Sequence, residues 1–340
     1  MITILACFLV FGIVITIHEF GHFVVAKCTN MYVREFSIGF GPKLFQKKFG
    51  ETIYSLRLLP LGGYNDIAGM SSKDNDYGGR GFYCRPVLAR MAVIIAGSLM
   101  NLIMPIFIFF CMFCFNGVES MDNRPIIGRV FDGKPAYVAG LRENDVIVSI
   151  NDRKMETWTD VTGAILDSNA KKMKIIYSRN NEQKETTVVP EFSKEANRYV
   201  IGVVSSIKTE SVPVNEAFTM AVSVTKNMLT GMLDYLYGMV VGQKEVAFSG
   251  PVGVARMAGT MAEQGVTMLM RFIAVLSLNL GIINLLPLPA LDGGHFVILL
   301  IEALTGYRPS KNVIRNIQRV GVALILVLLV VATWQDFLRW

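Results

Sequence analysis

The stretch His18-Glu19-Phe20-Gly21-His22 lies near the end of an uncharged apolar segment that begins at Ile2. Residues four apart on an α-helix project from one face, so His18 and His22 can present their imidazole nitrogens to one metal ion. Glu19 projects beside them and remains available to act on water as a base. The chain has only three histidines in 340 residues, so two of them at this spacing favour a metal site over coincidence.

The segment that carries this motif is long enough to cross a membrane. As a helix, residues 2–26 would extend about 37 Å, which exceeds a hydrocarbon core of about 30 Å. We expect the segment to be retained rather than cleaved as a signal peptide, because no basic region precedes it. Ionisable groups at membrane depth are costly, which makes a functional site the first interpretation and a polar patch between helices the alternative.

Three further apolar segments are long enough to span, and together they define the fold class. With 52% hydrophobic residues, the chain reads as a polytopic α-helical membrane protein with about four transmembrane helices. The spans are expected at about residues 2–27, 87–115, 268–286 and 320–334. A transporter built from repeated halves is disfavoured, because the chain shows no internal repeat.

Charge sets the expected orientation. Basic residues outnumber acidic ones between Lys27 and Arg90 and again just before the last span, whereas the long middle region is nearly neutral. The positive-inside rule then puts both basic loops in the cytoplasm and the middle region outside, with the metal motif toward the cytoplasmic leaflet. The net charge of +6 indicates topology and contact with the lipid bilayer, not nucleic-acid binding.

The cysteines agree with this topology, because all five fall in spans or in the first cytoplasmic loop. No disulfide framework is implied outside. Cys111 and Cys114 form a C-x-x-C pair inside an apolar helix, and we interpret the pair as packing.

A catalytic zinc needs a third protein ligand, and Asp292 is the best candidate. It follows two prolines that end the third span on the same side of the membrane as His18 and His22. Broken helix is tolerated there where it lines a buried cavity. His295 is a competitor three residues further on, although two histidines and one carboxylate are an ordinary zinc set.

At this point the chain resembles the site-2 protease family of intramembrane zinc metalloproteases, peptidase family M50, of the bacterial regulator-of-sigma-E protease type. The resemblance rests on H-E-x-x-H in the first span and on N-x-x-P-x-P-x-L-D-G-G-H, which runs here from Asn284 to His295. It implies one Zn²⁺ bound by His18, His22 and Asp292, with Glu19 as catalytic base. It also implies that Asn279 and Asn284 hold the substrate backbone, although interhelical hydrogen bonding is the alternative role for both.

The resemblance also implies the setting of the enzyme. Such proteins lie in the bacterial cytoplasmic membrane and cut single-pass membrane proteins, of the anti-sigma factor or remnant signal peptide type, after a first cleavage outside. One feature departs from the family, whose members commonly carry A-G-P-x-x-N in the second span: this chain has Ser98 at the proline position. The oligomeric state and the natural substrate stay open.

The loop between the first two spans reads as a β-hairpin. Two strand-like runs, Val33 to Phe40 and Thr52 to Leu59, are followed by Gly62 and Gly63 within a loop of about residues 33–66. In the resembled family this loop dips into the membrane beside the zinc and offers an edge strand to the substrate, which is β-augmentation. The two glycines are therefore candidate substrate-binding residues, and a plain hairpin is the alternative.

The middle of the chain resembles a PDZ domain, of which the family can have two and this chain has room for one. Pro135 and Gly140 bound a short helix, a second helix is expected over Thr159 to Ala170, and a hairpin turns at residues 179–181. Such domains bind peptide termini or act as gates. The expected division is residues 1–117 and 266–340 as the two parts of the catalytic membrane core, 118–208 as an extracytoplasmic PDZ domain and 209–265 as an amphipathic helical linker.

The sequence thus predicts an intramembrane zinc metalloendopeptidase with its PDZ domain as gate. The rival from another class is a membrane receptor or metal-handling protein that does not hydrolyse peptides and uses the PDZ domain to bind partners.

Overall fold

The structure is a computed structural model that describes residues 2–70, 77–193, 197–243 and 250–338. The helices in these ranges are α1 Ile2–Cys28, α2 Val87–Asn116, α3 Pro135–Val138, α4 Trp158–Asp167, α5 Val214–Val240, α6 Pro251–Glu263, α7 Val266–Leu285, α8 Asp292–Thr305 and α9 Lys311–Leu338. The strands are β1 Val33–Phe49, β2 Thr52–Ile67, β3 Val118–Met121, β4 Ile127–Val130, β5 Val146–Ile150, β6 Arg153–Lys154, β7 Met173–Arg179, β8 Glu182–Val188, β9 Glu191–Ser193, β10 Arg198–Val200, β11 Val203–Ser205 and β12 Ile207–Glu210.

The predicted fold class is confirmed: four of the described helices are long and apolar enough to cross a membrane, and an α+β unit is inserted between the second and third of them. The four are α1, α2, α7 and residues Asn312–Leu338 of α9. The last helix starts earlier than the expected span at residue 320, because apolar residues continue at a helical spacing through the basic segment before it. The segment after the third span also forms a helix, α8, that the sequence reasoning left unassigned.

The chain divides into two compact units, one formed by Met1–Met112 with Val214–Trp340 and the other by Phe113–Pro213. In the first unit α1 and α2 come into direct contact through glycines. A Cβ on Gly21 would lie 2.4 Å from the Ala96 carbonyl oxygen, and a Cβ on Gly97 would lie 2.3 Å from the His22 ring. Any larger side chain at either position would push the two helices apart.

Helix α2 continues through Pro105, which has no N–H to donate to the carbonyl of Asn101 four residues earlier. The hydroxyl of Ser277 on α7 donates to that carbonyl oxygen at 2.9 Å. Both Ser277 and Asn101 are fully buried. A neighbouring helix therefore replaces the hydrogen bond that the proline removes, as an apolar environment requires.

The predicted hairpin is present, with strands longer than the two runs seen in the sequence. The first half of β1 pairs with both halves of β2: Phe36, for example, is opposite both Tyr54 and Asn65. The bend in β1 occurs at Gly39 and Gly41, which have φ of +88° and +85°, a conformation that favours glycine. Residues 63–67 form the outer row, or edge strand, of this small sheet: within the described residues they pair with the first half of β1 and with no strand on their other side.

The second unit folds around an apolar core of its own. Its four-stranded antiparallel sheet has the order β6-β5-β7-β8, and the pairs β4-β11, β3-β12 and β9-β10 lie outside it. Helix α4 begins at a capping box in which Thr157 and Asp160 bond to each other's backbone N–H. The core members are buried residues of both strands and helices: Ile127, Ala136, Leu141, Ile147, Ile150, Met155, Val161, Ile165, Met173, Ile175, Tyr177, Val188 and Ile201.

In the first unit, a buried ion pair joins α8 to α2. Arg90 donates to both carboxylate oxygens of Glu302, at 2.9 and 2.7 Å. The Arg90 side chain is 5% exposed and that of Glu302 14%. Removing one partner of such a pair leaves a buried charge without compensation, which costs several kcal/mol.

We therefore expect Glu302→Ala to lower the free energy of unfolding by about 3 kcal/mol, measured by denaturant titration in mixed micelles. Glu263→Ala is the matched control, because it removes an exposed carboxylate at the end of α6, where the change should stay within about 0.5 kcal/mol. Equal losses for the two variants would show that the pair does not anchor α8.

Candidate metal centre

The two histidines of the first span lie side by side on α1, as the helical spacing predicts. The distance between the Nε2 atoms of His18 and His22 is 3.2 Å. His18 is buried and His22 half-buried. Both rings therefore turn the same nitrogen toward a single point.

Asp292 reaches that point from the other end of the chain. Helix α7 ends at Leu285, Ala290 takes a left-handed φ of +72°, and α8 starts at Asp292 itself. A Cβ on Gly293 would lie 2.3 Å from the carbonyl oxygens of Leu285 and Leu286, so only glycine lets α8 start this close to the end of α7. Oδ2 of Asp292 lies 3.4 Å from Nε2 of His18 and 3.6 Å from Nε2 of His22.

The three side chains fit a zinc ion. Their ligand atoms lie within 4.8 Å of one another, and the three closest distances are 3.2, 3.4 and 3.6 Å. A tetrahedral ion with bonds of about 2.0–2.1 Å separates its ligand atoms by about 3.3 Å. Two imidazoles and one carboxylate are also a donor set found in zinc hydrolases, with a fourth position left for water.

Helix α2 provides hydrogen-bonding partners for all three of these side chains. His22 Nδ1 is 2.7 Å from the Val93 carbonyl oxygen. Since a carbonyl can only accept, Nδ1 carries the proton and Nε2 keeps its lone pair for a metal. Ser98 Oγ donates to Oδ2 of Asp292 at 2.9 Å, and the amide of Asn101 lies 3.3 Å from Nδ1 of His18.

The Asn101 amide can fix the tautomer of His18 in the same way. Its Oδ1 is buried and has no hydrogen-bond partner, while its Nδ2 faces His18 Nδ1. When the Asn101 side-chain amide is flipped by 180°, which exchanges Oδ1 and Nδ2, Oδ1 accepts the Nδ1 proton of His18. The orphaned oxygen then has a partner, and the Nε2 lone pair of His18 becomes available to the metal.

Glu19 is held by the hairpin rather than by a helix. The side chain of Asn65 donates from Nδ2 to Oε2 of Glu19 at 2.8 Å and to the Glu19 backbone oxygen at 2.6 Å. Both residues line a cavity of about 250 Å³ together with the three candidate ligands. The remaining lining residues are Tyr64, Ile67, Met70, Val93, Ile94 and His295.

The two hairpin glycines have different surroundings, and Gly63 is the one next to Glu19. A Cβ on Gly63 would be 3.2 Å from Cγ of Glu19 and 2.7 Å from the Ser37 carbonyl oxygen, so the outer row of the sheet contacts the glutamate directly. Gly62 instead packs on the ring of Phe40, which a Cβ would approach to 1.9 Å. Asn279 and Asn284 are half-buried on α7 and lie outside the cavity lining.

His295, the competitor for the third ligand, lines the cavity and contacts Gln318 of α9. Among the described residues, the group of side chains whose ligand atoms lie close enough together to hold one metal ion contains Asp292 and not His295. This geometry favours the predicted choice of Asp292, while His295 is placed to contact whatever fills the cavity.

Comparisons with known proteins show which family the chain resembles. The model of Peptidase family M50 matches residues 6–328. The regulator of sigma-W protease RasP of Bacillus subtilis is 31% identical over 417 aligned residues, which cover 99% of this chain and 98% of that protein. The zinc metalloprotease RasP of Bacillus licheniformis is 30% identical, with 100% and 99% covered.

The chain belongs to peptidase family M50. It is therefore a zinc metalloprotease with helices that can span a membrane, and the resemblance seen in the sequence is confirmed. A solved structure of the PDZ domain of the SdrC-like protein of Listeria monocytogenes covers 25% of this chain and 87% of its own, with 19% identity and a TM-score of 0.22.

Four partners of this M50 site were missed by sequence reasoning: Asn65, the Val93 carbonyl, the Ser98 hydroxyl and the Asn101 amide. A backbone carbonyl leaves no signal in the side-chain pattern. Asn65 follows Gly63 by two residues in the loop expected beside the zinc; had the second strand been extended to it, alternation could have pointed Asn65 toward the site. Ser98 was noted as a departure from the family pattern but was not connected to Asp292.

We expect Asn65→Ala to lower kcat about tenfold with little change in KM, because Glu19 would lose the group that orients it. Zinc content should stay at the wild-type value, since Asn65 contacts none of the three candidate ligands in the hydrogen bonds described above. Asn227→Ala on the exposed face of α5 is the matched control. The interpretation fails if kcat is unchanged, or if zinc is lost together with activity.

Proposed function

We propose that the chain is an intramembrane endopeptidase that cuts single-pass membrane proteins within the bilayer, with zinc held by His18, His22 and Asp292. One observation carries the proposal: the ligand atoms of these three residues converge within 4.8 Å among helices of membrane-spanning length. A hydrolytic site at this depth serves peptide bonds that are themselves in the membrane.

Glu19 is the proposed catalytic base. When bound, zinc supplies a Lewis acid that makes water more acidic and polarises the scissile carbonyl. Glu19 then takes a proton from the water and delivers it to the leaving amine. Asn65 donates to one oxygen of Glu19, at 2.8 Å, which leaves the other oxygen for this transfer.

The substrate is proposed to pair with the hairpin as an added strand. A transmembrane helix must unwind before its peptide bond becomes accessible, and its freed backbone groups then need partners. Residues 63–67 pair on one side within the described residues and contact Glu19 through Gly63. A strand added on the other side would therefore pass beside the base. Asn279 and Asn284 would bind the substrate backbone on the α7 side.

The proposed cargo is an anti-sigma factor or a remnant signal peptide that has already been trimmed outside. The name of the Bacillus subtilis relative, regulator of sigma-W protease, supports the first of these classes. The balance of basic residues in the loops supports an active site toward the cytoplasm and an inserted unit outside. We propose the cytoplasmic membrane of a bacterium as the location, with the inserted unit as a PDZ gate.

A test of the mechanism uses Glu19→Gln and Asp292→Ala in a reconstituted system with a single-pass substrate. Glu19→Gln should keep one zinc per chain and lose at least a hundredfold in cleavage rate, whereas Asp292→Ala should lose zinc as well. Asp234→Ala on the exposed face of α5 is the control. Cleavage by Glu19→Gln at the wild-type rate would disprove the mechanism. Full zinc content in Asp292→Ala would disprove the assignment of Asp292 as the third ligand.

The gate is tested by changing the substrate and leaving the enzyme intact. Single-pass substrates with a short extracytoplasmic tail should be cleaved at least tenfold faster than the same spans joined to a folded domain. The reason is size: a folded domain cannot pass the inserted unit, whereas an extended tail can. Equal rates for the two substrates would remove the gating role, and Glu19→Gln provides the background rate.

A further inference from the structure

Ser98 contacts the metal centre through the ligand oxygen itself. Its hydroxyl lies 2.9 Å from Oδ2 of Asp292, and this is the oxygen nearest the ring nitrogens of both His18 and His22. Ser98 is fully buried. We propose that Ser98 is the positioning residue of the third zinc ligand, an inference that rests on the proposed function of Asp292.

The geometry allows both contacts at once. A carboxylate oxygen has two lone pairs, so Oδ2 can accept the Ser98 proton in one direction and bind zinc in the other. The hydrogen bond fixes the rotation of the carboxylate before the metal arrives. It also compensates part of the negative charge that Asp292 has to carry inside apolar helices. Partners of this kind typically change metal affinity 10- to 100-fold.

The direction of the bond is informative. A serine inside a helix commonly donates to the carbonyl four residues earlier in its own helix, which here belongs to Ile94. The Ser98 hydroxyl instead crosses from α2 to the first residue of α8. The hydroxyl therefore links two helices and is not used within its own helix.

A second buried serine provides a control that distinguishes this positioning role from an ordinary packing role. Ser277 is also fully buried and its hydroxyl also donates at 2.9 Å, but its acceptor is the Asn101 backbone carbonyl freed by Pro105. Ser98→Ala and Ser277→Ala each remove one buried hydroxyl from the first of the two compact units. Ser277→Ala is therefore the matched control for Ser98→Ala.

The experiment measures the zinc dissociation constant of the full chain in detergent micelles by competition with a chelator, without any substrate. Ser98→Ala should bind zinc at least tenfold more weakly than wild type, and the visible spectrum of its Co²⁺ form should shift. Ser98→Thr keeps the hydroxyl and should stay within threefold of wild type. Ser277→Ala should lower the thermal unfolding midpoint of the metal-free protein but leave zinc affinity unchanged.

A double-mutant cycle tests the route through Asp292. In an Asp292→Ala background, adding Ser98→Ala should not weaken the residual zinc binding by the two histidines further. Wild-type affinity in Ser98→Ala, equal weakening in Ser277→Ala, or a full additive loss in the double variant would each overturn the inference. If Ser98→Ala does not fold, a Ser98→Thr variant with affinity reduced more than tenfold and an unaltered Co²⁺ spectrum overturns it as well. Absence of zinc from the wild-type chain would instead refute the proposed function.

Discussion

The cost of polar groups among apolar helices is the constraint on which this structure depends. Two imidazoles and two carboxylates must lie at the depth of the first span, where each group without a partner would be expensive. Helix α2 meets this requirement for the three candidate ligands from a short stretch of its surface. Its contacts come from the carbonyl of Val93 and the side chains of Ser98 and Asn101. Gly97, between them, gives the His22 ring room to approach.

The parts of the site that follow from local periodicity could be predicted from the sequence. The helical spacing of His18 and His22 fixed their common face, and the topology of the spans brought Asp292 to the same side. The contacts that hold these residues depend instead on how segments far apart in the chain pair and pack, and a local sequence pattern does not contain that information. Arg90 and Glu302 are 212 positions apart, and Asn65 reaches Glu19 because β1 bends and pairs with both halves of β2. Helix α8 was missed because Gly293 and Gly294 at its start suggest a turn when the neighbouring α7 is not in view.

The link between the hairpin and Glu19 has a consequence for substrate entry. Asn65 lies in the row of residues 63–67 that the proposed substrate strand would join, and its side chain also holds Glu19. Any substrate that pairs with this row would press on the segment that orients Glu19. If the substrate pairs with this row as proposed, pairing and the placement of Glu19 would be one structural event. Such a requirement would favour unwound substrates, because a helix that stays wound offers no strand to pair.

Helix α2 has Ser98 in the part that contacts the candidate ligands and Pro105 further along, where its hydrogen-bonding is interrupted. Over Val93 to Asn101 the helix keeps its regular backbone, and Ser98 at the position of the family's proline retains the N–H that proline would remove. The interruption comes afterwards, at Pro105, where the carbonyl set free is covered by Ser277 of α7. Carbonyl and side-chain partners of a metal centre hold their ligands only if the helix beneath them has one defined geometry. The irregular turn of α2 therefore begins at Asn101, the last residue of the metal-facing stretch, and the Ser277 hydroxyl satisfies the carbonyl that is set free there.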